Sequence, residues 1–193
     1  MNKNIHHFII FIIFIKIVKL SIINNDKYNY YDLSQLVFNE IHNNKNQITA
    51  NIFIDTKEFL DSFDTNTIKI IQQDLFVKNS IITIIFLVKE IEFPKQGGIN
   101  EFIDLMLLEL EKKVNFLNYP FLFVFIVDYL NQIYIRPMGL ATNILNKEKL
   151  NKIIINGKLN LKRKHYFKTV YELIKDISIY YKNWHNFINA NYL

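Results

Sequence analysis

Two apolar runs, IITIIFLV at 81–88 and FLFVFIV at 121–127, dominate the hydropathy pattern of the chain. Each is far shorter than the roughly 20 residues that a membrane-spanning helix needs, and both are rich in β-branched and aromatic side chains. They read as strands buried on both faces, the first extending to residue 91. Another strand, TANIFI, ends at Asp55, and a fourth at 132–136 follows the second run closely, with Leu130 and Asn131 near the turn. So short a connection forces an antiparallel hairpin.

Between these strands the apolar period changes to that of a helix. Asp32-x-x-Gln35 has the form of a capping box, and Leu33, Leu36, Val37 and Ile41 follow at helical spacing to about Asn43. Ile68, Ile71 and Leu75 form one stripe over 64–78, behind the candidate caps Asp64 and Thr65. Gly97-Gly98 releases the chain into a helix with an inner stripe of Ile103, Met106, Leu107, Leu110 and Val114; acids gather near its start and Lys112 and Lys113 close it, as the helix dipole favours. Asn146 is placed to cap a helix burying Leu150, Ile153 and Ile154, and a longer helix over about 163–183 aligns Phe167, Val170, Tyr171, Ile174, Ile177 and Tyr181. From the first strand the order is β-α-β-α-β-β-α-α. It predicts one α/β domain with a small mixed sheet of about four strands, helices on both faces and right-handed crossovers between parallel strands. No repeat divides the chain.

Composition agrees with a single globular domain, since half of the 193 residues are hydrophobic. The 25 Asn reflect a compositional bias and carry little functional weight; none stands in an Asn-x-Ser/Thr frame, so N-glycosylation is not expected. Residues 1–24 differ from the rest. A polar, cationic start precedes eight unbroken apolar residues, Phe8 to Ile15, and Lys16 and Lys19 interrupt the fading stretch beyond. This is the pattern of a signal peptide, with an uncleaved signal anchor as the competing reading. The expected organisation is therefore a leader at 1–24, a domain at 25–183 and a C-terminal tail at 184–193. The expected compartment is the secretory pathway or the exterior, with a plastid-type organelle lumen or a membrane-anchored form as alternatives. Without cysteine, an exported domain here must stand on its core, with no disulfides.

The formal net charge of +5 is unevenly spread: residues 24–146 carry 10 basic and 15 acidic side chains, and residues 147–193 carry 10 and 3. The balance beyond the leader is too small for a nucleic-acid footprint. Lys162, Arg163, Lys164 and Lys168 form a basic run that could meet an acidic protein or lipid head groups, with peripheral membrane association as one outcome; a solvated helix face is the ordinary reading.

Familiar catalytic signatures are absent: no HExxH, no G-x-S-x-G elbow, no Walker loop and no dinucleotide-binding glycine pattern. The carboxylates are more suggestive. Asp55 falls at the C-terminal end of the first strand and Asp128 at the end of the third, where open α/β sheets bind ligands. Asp55 and Asp128 are the candidates to act in catalysis, and together with Asp61, Asp64 and Asn118 they are candidates to hold calcium through oxygen ligands. The plainer reading makes Asp55, Asp61 and Asp64 turn and cap residues.

The order of elements and several local phrases resemble the TPM domain family, named for thylakoid lumen phosphatase-like proteins, a photosystem II repair protein and the modulator of the levamisole receptor. The resemblance covers about residues 31–183. FIDTKEFLD at 53–61 is similar to the family's opening strand and its Asp-Pro-x-Gly-Leu phrase; GGINEFIDLMLLEL, IYIRPMGLATNILNKEKLNKII and LKRKHYFKTVYELIKDI are similar to later passages, in the same order. By this resemblance Asp55 takes the place of the family's first aspartate and Gly139 belongs to the bend after the hairpin. The bend from Pro137 to Gly139 is itself expected to be a structural corner, Pro137 ending the strand pairing and Gly139 supplying the permissive backbone. Thr56 stands where the family usually has proline, and LNYPF replaces its Asp-Asn-Gly phrase. The family implies an exported α/β domain that binds or supports assembly of a membrane protein complex, the leading expectation here. An acid phosphatase-like phosphomonoesterase with a carboxylate and calcium site is the alternative.

Overall fold

The computed structural model describes residues 27–43, 51–79, 81–94, 97–112, 121–139 and 141–192. The leader, Val114 and Asn118 lie outside the described residues. The elements are β1 (Lys27–Tyr28), α1 (Tyr30–Asn43), β2 (Ile52–Asp55), α2 (Ser62–Asn79), β3 (Ile82–Val88), β4 (Glu90–Ile91), α3 (Gly98–Glu111), β5 (Phe121–Val127), β6 (Gln132–Met138), α4 (Ala141–Ile144), α5 (Lys147–Lys162) and α6 (Tyr166–Tyr192).

The expected mixed sheet is present, in the order β2-β3-β5-β6. β2, β3 and β5 are parallel, and β6 returns antiparallel to β5. The apolar run at 81–91 does not form one strand. It breaks at Lys89, after which β4 leaves the sheet and pairs with β1 in a separate two-stranded parallel ribbon.

Alternation along β3 and β5 divides the core into two. Ile85, Leu87, Leu122, Val124 and Ile126 face the layer that includes α2, α5 and α6, whereas Ile84, Phe86, Val88, Phe123, Phe125 and Val127 face α1, α3 and the small ribbon. The aromatics concentrate on the second face. Phe86 stacks on Phe125 with ring centroids 4.7 Å apart, and Phe102 of α3 meets Phe125 edge-on at 6.0 Å. Such pairs add about 1 kcal/mol each to the area they bury. On the first face, Gly157 lets α5 approach closely: a Cβ there would lie 2.8 Å from Ile133 Cδ1 and 2.9 Å from Leu173 Cδ2. At the opposite edge from the aspartates, buried polar groups fix the β2–β3 register. Asn51 Oδ1 accepts from the Thr83 N–H (2.7 Å) and hydroxyl (2.9 Å), and the Gln72 amide of α2 donates to Thr83 Oγ1 at 2.9 Å.

The connections depart from expectation. Both β2-α2-β3 and β3-α3-β5 step in the same direction across the sheet, yet α2 packs on one face and α3 on the other. The two crossovers are therefore of opposite hand, and one of them breaks the right-handed rule.

Helix starts are shifted as well. The reciprocal cap of α1 is Asn29 with Asp32: the Asp32 N–H donates to Asn29 Oδ1 at 3.0 Å and the Asn29 N–H to Asp32 Oδ2 at 3.3 Å. Asp32 thus ends the capping box instead of opening it. In α6 the buried stripe is Thr169, Val170, Leu173, Ile174, Ile177 and Tyr181; Tyr171 is exposed, Phe167 only half-buried, and the helix starts at Tyr166 and continues through the expected tail to Tyr192. The expected cap Asn146 does accept from the Lys149 N–H, at 3.0 Å. Among the described residues no helix is long and apolar enough to cross a membrane.

Candidate functional site

Parallel strands end together, so Asp55 and the segment after Val127 emerge on one edge of the sheet. Asp55 is the last residue of β2, and Asp128 follows β5 directly. With β3 between their strands, the backbones stand two strand spacings apart, about 10 Å. Both side chains point to the α2, α5 and α6 side, as the alternation from Phe53 and from Ile126 requires. The sheet thus brings the two aspartates to one edge without placing them side by side.

Each carboxylate already has partners from its own chain. Asp55 accepts from three backbone N–H groups in the loop beyond β2: Lys57 at 3.3 Å and Phe59 at 3.1 Å on Oδ1, and Leu60 at 2.8 Å on Oδ2. Its pKa is nevertheless raised, because burial of the carboxylate outweighs the three hydrogen bonds, with Glu58 adding like charge. Asp128 Oδ1 accepts from Lys164 Nζ at 2.5 Å and from the Tyr166 hydroxyl at 2.8 Å. The side chain of Asp128 is only 15% exposed, while Lys164 is half in solvent.

Tyr166 connects the two halves. Its ring packs against Phe59 at 4.7 Å between centroids, and burial, the Asp128 hydrogen bond, then the charges of Asp128 and Asp55 raise its pKa. Sequence reasoning missed Tyr166, although it stands one residue before Phe167, the first residue assigned to the stripe of the last helix. The available signal was the aromatic directly after Lys164-His165, at a helix start that packs over the strand ends.

The remaining candidates separate. Asp61 caps α2, accepting from the Asp64 N–H at 2.8 Å, and Asp64 lies in the first turn, which moves the helix start ahead of the expected caps Asp64 and Thr65. Among the described residues no group of three His, Asp or Glu is arranged to hold a metal ion. Lys162, Arg163, Lys164 and Lys168 do not share one helix face. Lys162 ends α5, Arg163 and Lys164 form the turn, with Lys164 at φ 59, and Lys168 lies in the first turn of α6. Pro137 does not end the pairing. It lies opposite Leu122 inside β6, an edge strand, and the bend comes at Gly139, whose φ of 57 suits glycine and whose carbonyl accepts from the Thr142 hydroxyl at 2.8 Å.

No protein-family model and no curated protein matches the chain. Among solved structures, the chain is similar to the N-terminal domain of the cg2496 protein from Corynebacterium glutamicum, determined by solution NMR. The match has 12% identity and a TM-score of 0.49, over 69% of this chain and 80% of that one.

Proposed function

We propose that the chain is an exported, TPM-like binding domain that supports assembly of a membrane protein complex, and that its sheet-edge aspartates organise the fold instead of performing hydrolysis. One observation carries this reading. Asp55 is turned onto the N–H groups of Lys57, Phe59 and Leu60, and Asp128 onto Lys164 and Tyr166, so both carboxylates serve as internal anchors of the loops around them. Export rests on the leader-like pattern of residues 1–24.

The competing reading, a phosphomonoesterase, draws on the placement of both aspartates at the edge where open α/β sheets bind ligands. The two are separated by assaying the purified full chain and Asp55→Asn against a generic phosphomonoester, with and without calcium, beside proximity labelling in cells. The expected result is labelling of membrane proteins and no hydrolysis that depends on Asp55. Turnover that needs calcium and is lost in Asp55→Asn would replace the binding domain with the enzyme.

A further inference from the structure

On the outer surface of the α5–α6 pair, Ile155 and Leu159, one turn apart on α5, are 60% and 62% exposed, and Ile179 of α6 is 48% exposed. Ile155 and Ile179 line an open groove of about 370 Å³ between the two helices, whose lining also holds Lys152, Asn156 and Asp176, so aliphatic side chains of both helices flank one groove with polar groups along it. Lys162, seven positions after Ile155, lies on the same side of α5 as Ile155 and Leu159, Arg163 follows it as the C-cap, and both are exposed.

The acids of this region are already engaged. Glu148 pairs with Lys152 at 2.8 Å, Glu172 lies 3.5 Å from Lys175, and Asp176 accepts from the Asn156 amide at 3.0 Å. Residues 147–193 hold 10 basic and 3 acidic side chains, and Asp128 takes up Lys164, which leaves an excess of cations that these acids do not balance.

We infer that the outer face of α5 and α6 docks on an anionic lipid surface, Ile155, Leu159 and Ile179 entering the boundary between head groups and acyl chains while Lys162 and Arg163 meet lipid phosphates. Exposed aliphatic side chains beside long, flexible cations suit a fluid head-group layer. The aromatic of the groove, Tyr180, is half-buried with Lys149 Nζ 5.5 Å over its ring, and Arg163 caps the helix end, so the exposed centre of the face is aliphatic, unlike the aromatic or Arg anchors seated in pockets on which protein interfaces centre. A free phosphate would call for several donors converging on one point, whereas these cations are spread along the helix end. This face is separate from the sheet edge, and the inference does not depend on the binding-domain reading.

The test is flotation of the full chain with vesicles of phosphatidylcholine containing phosphatidylglycerol, against phosphatidylcholine alone, at low and high salt. The expected result is a preference for the anionic vesicles that salt weakens. Replacing both cations, Lys162→Gln with Arg163→Gln, should weaken binding by about thirtyfold, from the usual contribution of two cations near such a surface. Ile155→Ser with Leu159→Ser should lower the part of the binding that survives salt. All four side chains are exposed, so the variants should melt with the wild type. The apolar run Phe8 to Ile15 offers another route to lipid, but binding through it would be indifferent to both double substitutions. Equal binding by wild type and variants, or no preference for anionic lipid, overturns the inference. Loss in the variants of labelling of an acidic protein, with vesicle binding untouched, overturns it in favour of a protein interface.

Discussion

Asp55 accepts three backbone N–H groups and yet binds its proton more tightly than a free aspartate, because it sits where water is largely excluded and Glu58 adds negative charge. A carboxyl whose pKa is raised by folding stabilises the native state most below its unfolded pKa, and that contribution disappears as pH rises through the folded value. Wild type should therefore gain stability relative to Asp55→Asn as pH falls from neutral towards 4, measured as the difference between their denaturant midpoints. A difference that shrinks on acidification would show that the three hydrogen bonds outweigh burial. Tyr166 permits a second measurement. Tyr166→Phe keeps the ring against Phe59 but removes the hydroxyl that donates to Asp128, so it should cost about 1–2 kcal/mol. Tyr166→Ala should cost more, since the ring contact is also lost.

Helix α2 has two apolar faces, and only one of them is covered. Ile68 and Leu75 are buried against the sheet side, while Phe63, Ile70 and Val77 stand 67–77% exposed at seven-residue spacing. Ile68→Ser should cost about 2–4 kcal/mol, whereas Ile70→Ser, two positions away, should change stability by no more than about 0.5 kcal/mol. In α6, Val170→Asp or Ile174→Asp should destabilise by more than about 3 kcal/mol, because each places an unpaired charge in the layer that α6 shares with α2 and α5. Thermal or urea melts decide both comparisons. The elements themselves were legible because apolar period survives in sequence: the hairpin, the Asn146 cap and the inner stripe of α3 from Ile103 to Leu110 could be read there, though Phe102, buried on the same face, could not. Helix starts were less so, since Asn29 and Asp32, or Asp61 and Asp64, offer neighbouring cap residues of the same chemistry, and only the backbone decides which one accepts. Tyr171 was misplaced for a related reason: Tyr tolerates either side of a helix, so its period is a weak guide.

For the molecule as a whole, both core faces follow from the central strands β3 and β5, which are buried at every position and apolar at all but Thr83. The same property conceals the hand of the crossovers, because a strand buried on both sides does not record which side its connecting helix takes. The candidate site was half legible. Strand ends placed Asp55 and Asp128 on one edge, but their commitments to a loop and to Lys164 and Tyr166 depend on tertiary approach. Those commitments leave too few oxygens for the roughly 6 to 8 that calcium prefers, so calcium should shift the melting temperature of the purified chain little or not at all. A shift that disappears in Asp55→Asn would contradict this. Pro137 has a consequence at this same scale. Counting from Val127 and Gln132, which close the hairpin as a hydrogen-bonded pair, residue pairs alternate along β5 and β6, and Leu122 with Pro137 falls among those whose amide positions point outward. The proline nitrogen therefore interrupts the row of donors on the open side of the sheet without weakening the hairpin. A strand from another molecule would find a gap in the template it needs, which makes this edge a poor seed for filaments or for domain-swapped sheets and guards the chain where parallel pairing is slow to complete. Pro137→Thr should leave the fold intact and shorten the lag before aggregation at elevated concentration, followed by light scattering.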